Sequence, residues 1–189
     1  MPNALRYFAL TSAAFLVAAP LTVGTARAEM SLQSSDIADG QLMEMEQVFS
    51  GFGCDGANLS PALSWSGAPE GTKSFVVTAY DPDAPTGSGW WHWALVNLPA
   101  DTTELPKSAG AIDFDLPGKA FNARNDYSQN AFGGACPPQG DAPHRYVFTV
   151  FAMPQETLPI DETASGALVG FYANNTALDR VSITAKYGR

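Results

Sequence analysis

Residues 75–99 read FVVTAYDPDAPTGSGWWHWALVNLP, and this stretch decides the fold because two strand patterns flank one turn in it. Residues 75–80 are β-branched, aromatic and apolar almost throughout, which predicts a strand that is buried on both faces. The segment Asp-Pro-Asp-Ala-Pro at 81–85 ends this strand, since aspartate and proline favour turns. Residues 90–98 form a second apolar run, which Pro99 ends. The stretch therefore predicts two buried strands connected by a polar turn.

The rest of the chain continues this alternation of strands and turn-rich loops. Residues 145–153 predict a third strong strand, and residues 181–187 alternate apolar with polar side chains as a final strand does. Residues 31–49 are expected to hold a first strand, and residues 163–177 are the best helix candidate. Strands separated by loops rich in proline and glycine, with one late helix, predict a mainly β, sandwich-like fold.

The amino terminus has the features of a secretory signal. Arg6 is followed by an uncharged apolar stretch, and Ala26-Arg27-Ala28 has the small-x-small pattern of a cleavage site. A transmembrane anchor is the alternative, but hydroxyl side chains and a proline interrupt the apolar stretch. We expect a signal peptide over residues 1–28 and a periplasmic or secreted mature protein. The remainder, residues 29–189, is predicted to form one domain without an integral membrane segment.

The charge of the chain excludes some classes of partner. The formal net charge is −9, and removal of two arginines with the signal makes it more negative still. Nucleic acids and anionic membranes are bound by clustered lysines and arginines, so neither is an expected partner. The simplest interpretation of the acidic surface is solubility.

The two cysteines, Cys54 and Cys136, are the next feature of interest. They do not have the Cys-x-x-Cys spacing of redox motifs. In an oxidising compartment a lone pair of cysteines is usually a disulfide, which is the expectation here. Two unrelated buried thiols are the alternative.

Polar side chains collect at the ends of the predicted strands. His92 and His144 are the two histidines, and each lies at the edge of a strong strand. Asp81 and Asp83 follow the strand that ends at residue 80. If these ends converge, the four side chains form a polar floor, beneath an aromatic rim made of Trp90, Trp91, Trp93 and Tyr146.

Such a floor suits a small anion. An imidazole beside a carboxylate has its charged form favoured and can donate to an anionic oxygen. Backbone N–H groups around Gly133, Gly134 and Gly140 are expected to add further donors. Each residue also has a structural alternative: strand-edge histidines, Asp-Pro turns and packed tryptophans are common in proteins that bind nothing there.

Two long motifs resemble a known family. Residues 80–99 are similar to the first signature of the phosphatidylethanolamine-binding protein family, and GACPPQGDAPHRYVF at 134–148 is similar to the second. The Trp-Trp-His-Trp and Gly-Ala-Cys-Pro-Pro forms resemble its bacterial Raf-kinase-inhibitor-like branch. The resemblance covers about residues 31–189.

The resemblance implies a central antiparallel β-sheet packed on a second sheet, with a short C-terminal helix. It also implies a pocket that accepts phosphate, acetate or a phosphoethanolamine head group. The positions that match the family's pocket residues are Asp81, Asp83, His92, Pro137, Pro138, His144 and Tyr146. Cys136 stands where many eukaryotic members have glycine, which fits a disulfide that fixes the pocket loop.

Three classes of function follow from these residues. The favoured one is a module that binds a small anionic ligand or a phospholipid head group through Asp81, Asp83, Trp90, His92, Pro137, His144 and Tyr146. The alternative is an inhibitor or signalling protein that docks a partner through the pocket rim. An enzyme is not expected, because a Gly-x-Ser-x-Gly motif and His-x-x-x-His metal spacing are both absent. No cofactor and no metal are predicted.

Overall fold

The computed structural model describes Met1 and residues 29–189. Residues 2–28, on which the signal-peptide prediction depends, lie outside the described residues. Within the described part, no helix is both long enough and apolar enough to cross a membrane.

Strands dominate the described residues. In chain order they are β1 (Ser31–Gln33), β2 (Ser50–Gly51), β3 (Cys54–Asp55), β4 (Leu63–Ser66), β5 (Ser74–Asp81), β6 (Trp90–Pro99), β7 (Glu104–Leu105), β8 (Phe121–Asn122), β9 (His144–Met153) and β10 (Asp179–Tyr187). A 3-10 helix spans Met45–Gln47, and the α-helix α1 spans Gly166–Thr176 between β9 and β10.

The strands form two principal antiparallel sheets. The central sheet has the order β10-β9-β5-β6-β8, and a smaller sheet has the order β1-β4-β7. Strands β2 and β3 form a separate hairpin. The mainly β, antiparallel, sandwich-like prediction is confirmed, and the long strands lie close to their predicted limits.

The inner strands β5, β6 and β9 of the central sheet are buried on both faces over most of their length, which explains their continuous apolar runs. One face of β5, including Phe75 and Val77, packs in a cluster with Leu63 and Trp65 of the smaller sheet. The opposite face, including Val76, packs in a second cluster with Val169 and Ala173 of α1. The molecule is therefore layered as small sheet, central sheet and helix.

The helix begins with a local signal and approaches the sheet closely. The Ser165 hydroxyl accepts a hydrogen bond from the backbone N–H of Leu168, which caps the first turn. Gly166 and Gly170 lie against the indole of Trp91, and a Cβ atom at either position would come within 2.5 Å of that side chain. These two glycines allow the helix to cover β6.

Candidate ligand-binding site

A cavity of about 240 Å³ lies at the end of the central sheet where β5 finishes and β6 and β9 begin. It brings together six of the seven predicted ligand-binding residues: Asp81, Trp90, His92, Pro137, His144 and Tyr146. Strand alternation explains part of this convergence. His144 and Tyr146 are two positions apart on β9 and so share a face, while Asp81 pairs with Trp90 across the sheet. Residues far apart in the sequence thus meet around one small space.

The Asp81 carboxylate organises the turn that follows β5. Its Oδ1 accepts hydrogen bonds from the backbone N–H groups of Asp83 (2.8 Å) and Ala84 (3.1 Å). Its Oδ2 lies 2.8 Å from Nδ1 of His144. Asp81 is 2% exposed, so these three contacts supply the partners that a buried carboxylate needs. Its negative charge is therefore already shared among protein donors.

His144, the first residue of β9, is held between two carboxylates. Besides its contact with Asp81, its Nε2 lies 3.4 Å from Oδ2 of Asp141. The side chain is 5% exposed. Both ring nitrogens thus face acidic oxygens, which fixes the plane of the ring in the cavity wall.

A bulge in β6 sets the orientation of His92 and its neighbours. Ala79 pairs with Trp93 and Tyr80 pairs with Trp91, so His92 is an additional residue on β6. Because of this bulge, His92 and Trp93 share a face although they are consecutive. His92 lines the cavity and Trp93 packs in the core, while Trp91 lies against the helix. Of the four predicted rim aromatics, only Trp90 and Tyr146 line the cavity, so the rim prediction is wrong for Trp91 and Trp93.

The tautomer of His92 follows from its hydrogen bonds. Its Nδ1 lies 2.7 Å from the carbonyl oxygen of Gly133 and 3.1 Å from that of Gly134. Carbonyl oxygens only accept, so Nδ1 carries a proton and donates it to them. Burial lowers the pKa of His92 below its usual range, although the two carbonyls and the Asp81 carboxylate oppose this shift. A neutral ring then leaves Nε2 as a bare acceptor.

Three buried polar atoms in the cavity wall have no hydrogen-bond partner among the described residues. They are Nε1 of Trp90, Nε2 of His92 and the hydroxyl of Tyr146. The indole N–H is a donor, the phenol can donate or accept, and the neutral imidazole nitrogen accepts. Burial raises the pKa of Tyr146, so its hydroxyl keeps its proton and can act as a donor. Unpaired buried polar groups are rare in folded proteins, and three of the side chains that carry them meet around this one cavity.

Two cavity residues were missed in the sequence, Phe52 and Tyr127. The Tyr127 ring stacks on Phe49 with ring centroids 4.0 Å apart, and its hydroxyl donates to the Gly134 carbonyl at 3.1 Å. Phe52 lies at the tip of the β2–β3 hairpin and is 76% exposed. Both residues occur in segments rich in glycine and asparagine, where no periodic pattern signals their direction.

Asp83, the seventh predicted residue, does not line the cavity. Its carboxylate forms a two-pronged ion pair with Arg145, whose Nε and Nη2 donate at 2.9 and 2.7 Å. This side-chain hydrogen bonding lowers the pKa of Asp83 to about 2. Asp83 therefore connects the turn after β5 to the start of β9 through an ion pair that lies outside the cavity.

The predicted backbone donors are also engaged elsewhere. Gly133 N–H donates to the carbonyl of His92 at 2.9 Å, and Gly140 N–H donates to the carbonyl of Arg189 at 3.0 Å. Gly134 N–H donates to Oδ1 of Asn58 at 2.7 Å. The expectation that these N–H groups face a ligand is wrong, because they hold the loop in place.

The predicted disulfide is present and borders the cavity. Cys54 and Cys136 are bonded, and Cys136 belongs to the cavity wall. Arg189 reinforces the same junction, because its guanidinium donates to the carbonyl oxygens of Pro137 at 2.7 Å and Gly53 at 2.6 Å. One covalent bond and two hydrogen bonds therefore join the β2–β3 hairpin to the loop before β9.

In residues 29–189, no three His, Cys, Asp or Glu side chains are grouped so that they could hold a metal ion.

The layered sheets, the polar cavity at the strand ends and the two motifs that line it are features of the phosphatidylethanolamine-binding proteins. Residues 33–188 match the model of that family, and the chain belongs to it. The resemblance noted in the sequence is confirmed.

Curated bacterial relatives are similar over most of the chain. The UPF0098 protein YbcL of Escherichia coli is 52% identical over 172 residues, which cover 90% of this chain and 94% of the relative. The UPF0098 protein YbhB of the same organism is 51% identical over 158 residues, which cover 84% of this chain and 99% of the relative.

Solved structures agree with the fold. The crystal structure of E. coli YbcL, described as a new member of the mammalian PEBP family, matches with a TM-score of 0.83 at 52% identity and covers 86% of this chain and 99% of that one. A homologue of the family from Chlamydia trachomatis matches with a TM-score of 0.71 at 25% identity, with 86% and 99% of the two chains covered.

Proposed function

We propose that this chain is an exported, non-enzymatic binding protein that holds a small oxyanion in the cavity between β5, β6 and β9. The observation that carries the proposal is the set of three buried polar atoms without protein partners, on Trp90, His92 and Tyr146. A tetrahedral or planar oxyanion offers several oxygens to such atoms at once. Free phosphate, a phosphorylated small molecule, a carboxylate and a phospholipid head group all fit this description.

The walls around the polar atoms suit a ligand with an apolar or aromatic portion near its oxyanion. Pro85, Pro137 and Pro138 line the cavity, and Phe52 extends beside its mouth. Concave sites of this type, mostly apolar with a few placed polar groups, are typical of small-molecule binding.

Export is supported by the disulfide. Bonds such as Cys54–Cys136 form and persist in oxidising compartments and are rare in the bacterial cytosol. Cell fractionation and amino-terminal sequencing of the mature protein test this part of the proposal. A chain that stays in the cytosol and begins at Met1 would contradict it.

The cavity offers no nucleophile beside a free base, which supports the non-enzymatic assignment. Thr86 supplies the one aliphatic hydroxyl in the described cavity wall, and it donates to the carbonyl of Gly89. Nucleophilic catalysis needs a hydroxyl or thiol within reach of an activating base. A panel of ester and phosphoester substrates tests this, and turnover that His92→Ala abolishes would refute it.

Isothermal titration calorimetry with phosphate and with phosphoethanolamine tests the binding proposal directly. We expect saturable one-to-one binding that is lost in a His92→Ala, His144→Ala double variant whose circular dichroism is unchanged. Undiminished binding by the folded double variant would place the ligand elsewhere. Asp83→Asn serves as a control, since Asp83 lies near these residues but outside the cavity wall.

A second candidate function is the docking of a protein partner through the cavity rim. The exposed ring of Phe52, at 76%, is the observation that favours it, because apolar anchors of this kind recur in interfaces. Capture experiments with periplasmic extract, comparing the wild type with Phe52→Ser, test this function. The docking candidate requires a discrete partner that the variant fails to retain.

A further inference from the structure

We propose that the cavity selects an oxyanion that carries a proton, such as hydrogen phosphate or the monoanion of a phosphate monoester, over sulfate and phosphate diesters. This inference rests on the binding function proposed above and concerns its specificity. It follows from which atoms of the cavity can donate a hydrogen bond and which can only accept one.

The donors come first. Nε1 of Trp90 always carries its proton, and the buried hydroxyl of Tyr146 has one to give. Both therefore favour bare, negatively charged ligand oxygens. Neither separates phosphate from sulfate, because the two ions share a tetrahedral shape and both present such oxygens.

The acceptor makes the difference. Nδ1 of His92 is committed as a donor to two backbone carbonyls, those of Gly133 and Gly134. The neutral ring can then offer only the lone pair of Nε2 to a ligand. Hydrogen phosphate donates its O–H to that lone pair, whereas sulfate and a phosphate diester have no proton at neutral pH. Their oxygens would face the lone pair unless His92 first took a proton from solution.

The surroundings of His92 determine how readily it takes that proton. Burial lowers its pKa, and the acidic groups Asp81 and Asp126 oppose this shift only in part. Its ring also lies edge-on to Tyr127 and Tyr146, with ring centroids 5.6 and 5.1 Å away. Burial keeps both phenols protonated by raising their pKa values, and His144 faces the same cavity from β9.

The cavity wall offers no lysine or arginine to replace the proton of the ligand. The residues that line it in the described structure include Asp81 and His144, whose ring nitrogens lie near Asp81 and Asp141, but neither lysine nor arginine. Hydrogen phosphate and sulfate are both dianions near neutral pH, so net charge does not separate them. The selection therefore depends on hydrogen bonds in both directions, and the O–H of the ligand supplies the one that His92 accepts.

Calorimetry with phosphate and sulfate at about pH 8, where a histidine of ordinary or lowered pKa is neutral, is the direct test. Because an unmatched buried acceptor is penalised, we expect phosphate to bind at least about tenfold more tightly than sulfate. Sulfate affinity within about twofold of phosphate would overturn the inference while leaving the binding function intact. Absence of binding by both ions would contradict the binding function itself.

Two phosphoethanolamine compounds separate a free phosphate group from a lipid head group. The monoester phosphoethanolamine loses its last phosphate proton with a pKa of about 6, so it should bind more tightly at about pH 5.5 than at about pH 8. Its glycerol diester, which mimics the lipid head group, has no such proton and should bind weakly at both values. Diester binding as tight as that of the protonated monoester would refute the selection.

Two variants locate the selection at His92. Tyr146→Phe removes a donor and should weaken phosphate and sulfate by the same factor, which leaves their ratio unchanged. His92→Gln replaces the fixed acceptor by an amide that can turn either way, so the ratio should fall towards one. A folded His92→Gln variant that keeps the wild-type ratio would refute the role of His92. If that variant does not fold, the wild-type comparison of the two ions still decides the matter.

Discussion

Removal of the Tyr146 hydroxyl should weaken ligand binding without weakening the fold. The hydroxyl is buried and has no partner among the described residues, so Tyr146→Phe breaks no protein hydrogen bond. A buried hydroxyl without a protein partner contributes little to the folded state, and its removal should change the free energy of unfolding by less than about 0.5 kcal/mol. The ring itself stays packed beneath the cavity.

The cost to binding is larger. A hydrogen bond to a charged ligand is worth about 2 kcal/mol, which corresponds to a loss of roughly 30-fold in affinity. Urea unfolding followed by tryptophan fluorescence measures the first quantity, and calorimetry with phosphate measures the second.

Tyr127 supplies a matched control, because removal of its hydroxyl should lower stability and leave ligand affinity nearly unchanged. Its hydroxyl donates to the Gly134 carbonyl at 3.1 Å, so Tyr127→Phe should lower the free energy of unfolding by about 1 kcal/mol. That carbonyl keeps its contact with His92, so phosphate affinity should change by less than about threefold. Unchanged phosphate affinity in Tyr146→Phe, or a loss of stability beyond about 1 kcal/mol, would show that the assignment of this hydroxyl to a ligand is wrong.

Three further predictions concern the frame of the cavity. Serine at both Cys54 and Cys136, which are 82 positions apart, should lower the free energy of unfolding by about 4 kcal/mol in chemical denaturation, and an unchanged midpoint would refute this. Asp83→Asn should cost less than about 1 kcal/mol near neutral pH, because the ion pair with Arg145 is largely exposed. The pKa of Asp83 in the folded protein is lowered to about 2, so the stabilisation from its ion pair is present above the unfolded value of about 4 and is lost as the pH falls towards 2. An Asp83→Asn variant that matches the stability of the wild type at pH 7 but loses more stability on acidification would contradict this pH dependence. Gly170→Ala should give a net loss of about 1 kcal/mol in thermal unfolding, because its Cβ would come within 2.5 Å of an indole ring, and a stabilised variant would refute this.

Much of the fold was predictable because the long strands carry their own signals. The runs now seen as β5, β6 and β9 are apolar, β-branched or aromatic, and the first two lead directly into prolines or a polar turn. A strand buried on both faces needs such a run, so sequence and architecture agree. The disulfide was predictable for a different reason, since a lone pair of cysteines without redox spacing is usually a disulfide in an oxidising compartment.

The candidate site was predictable only in part. Strand ends placed Asp81, His92 and His144 together, but the pattern could not show that Arg145 holds the neighbouring carboxylate of Asp83 outside the cavity. That pairing depends on the twist of two strands and the reach of one side chain. Tyr127 was missed because it lies in a loop whose conformation depends on tertiary contacts. Loop residues do not show the regular spacing of apolar side chains from which a buried position can be predicted.

The predicted backbone donors are a second feature of the site that the sequence alone could not place. Glycines near a motif can expose N–H groups to a ligand, but here those of Gly133 and Gly134 are used to bind the loop to the sheet and to Asn58. Only the complete set of backbone partners reveals this.

The extra residue at position 92 has a consequence for how this chain tolerates insertions and deletions. Side chains alternate with a period of two, and the extra residue places two consecutive side chains on one face. Loss of residue 92 alone would restore regular alternation, with Trp91 still on the face that the helix covers and Trp93 still in the core. A deletion of this one residue should therefore remove the imidazole from the cavity and keep Tyr80 paired with Trp91 and Ala79 paired with Trp93, whereas a deletion elsewhere in the strand would put the following side chains on the wrong face.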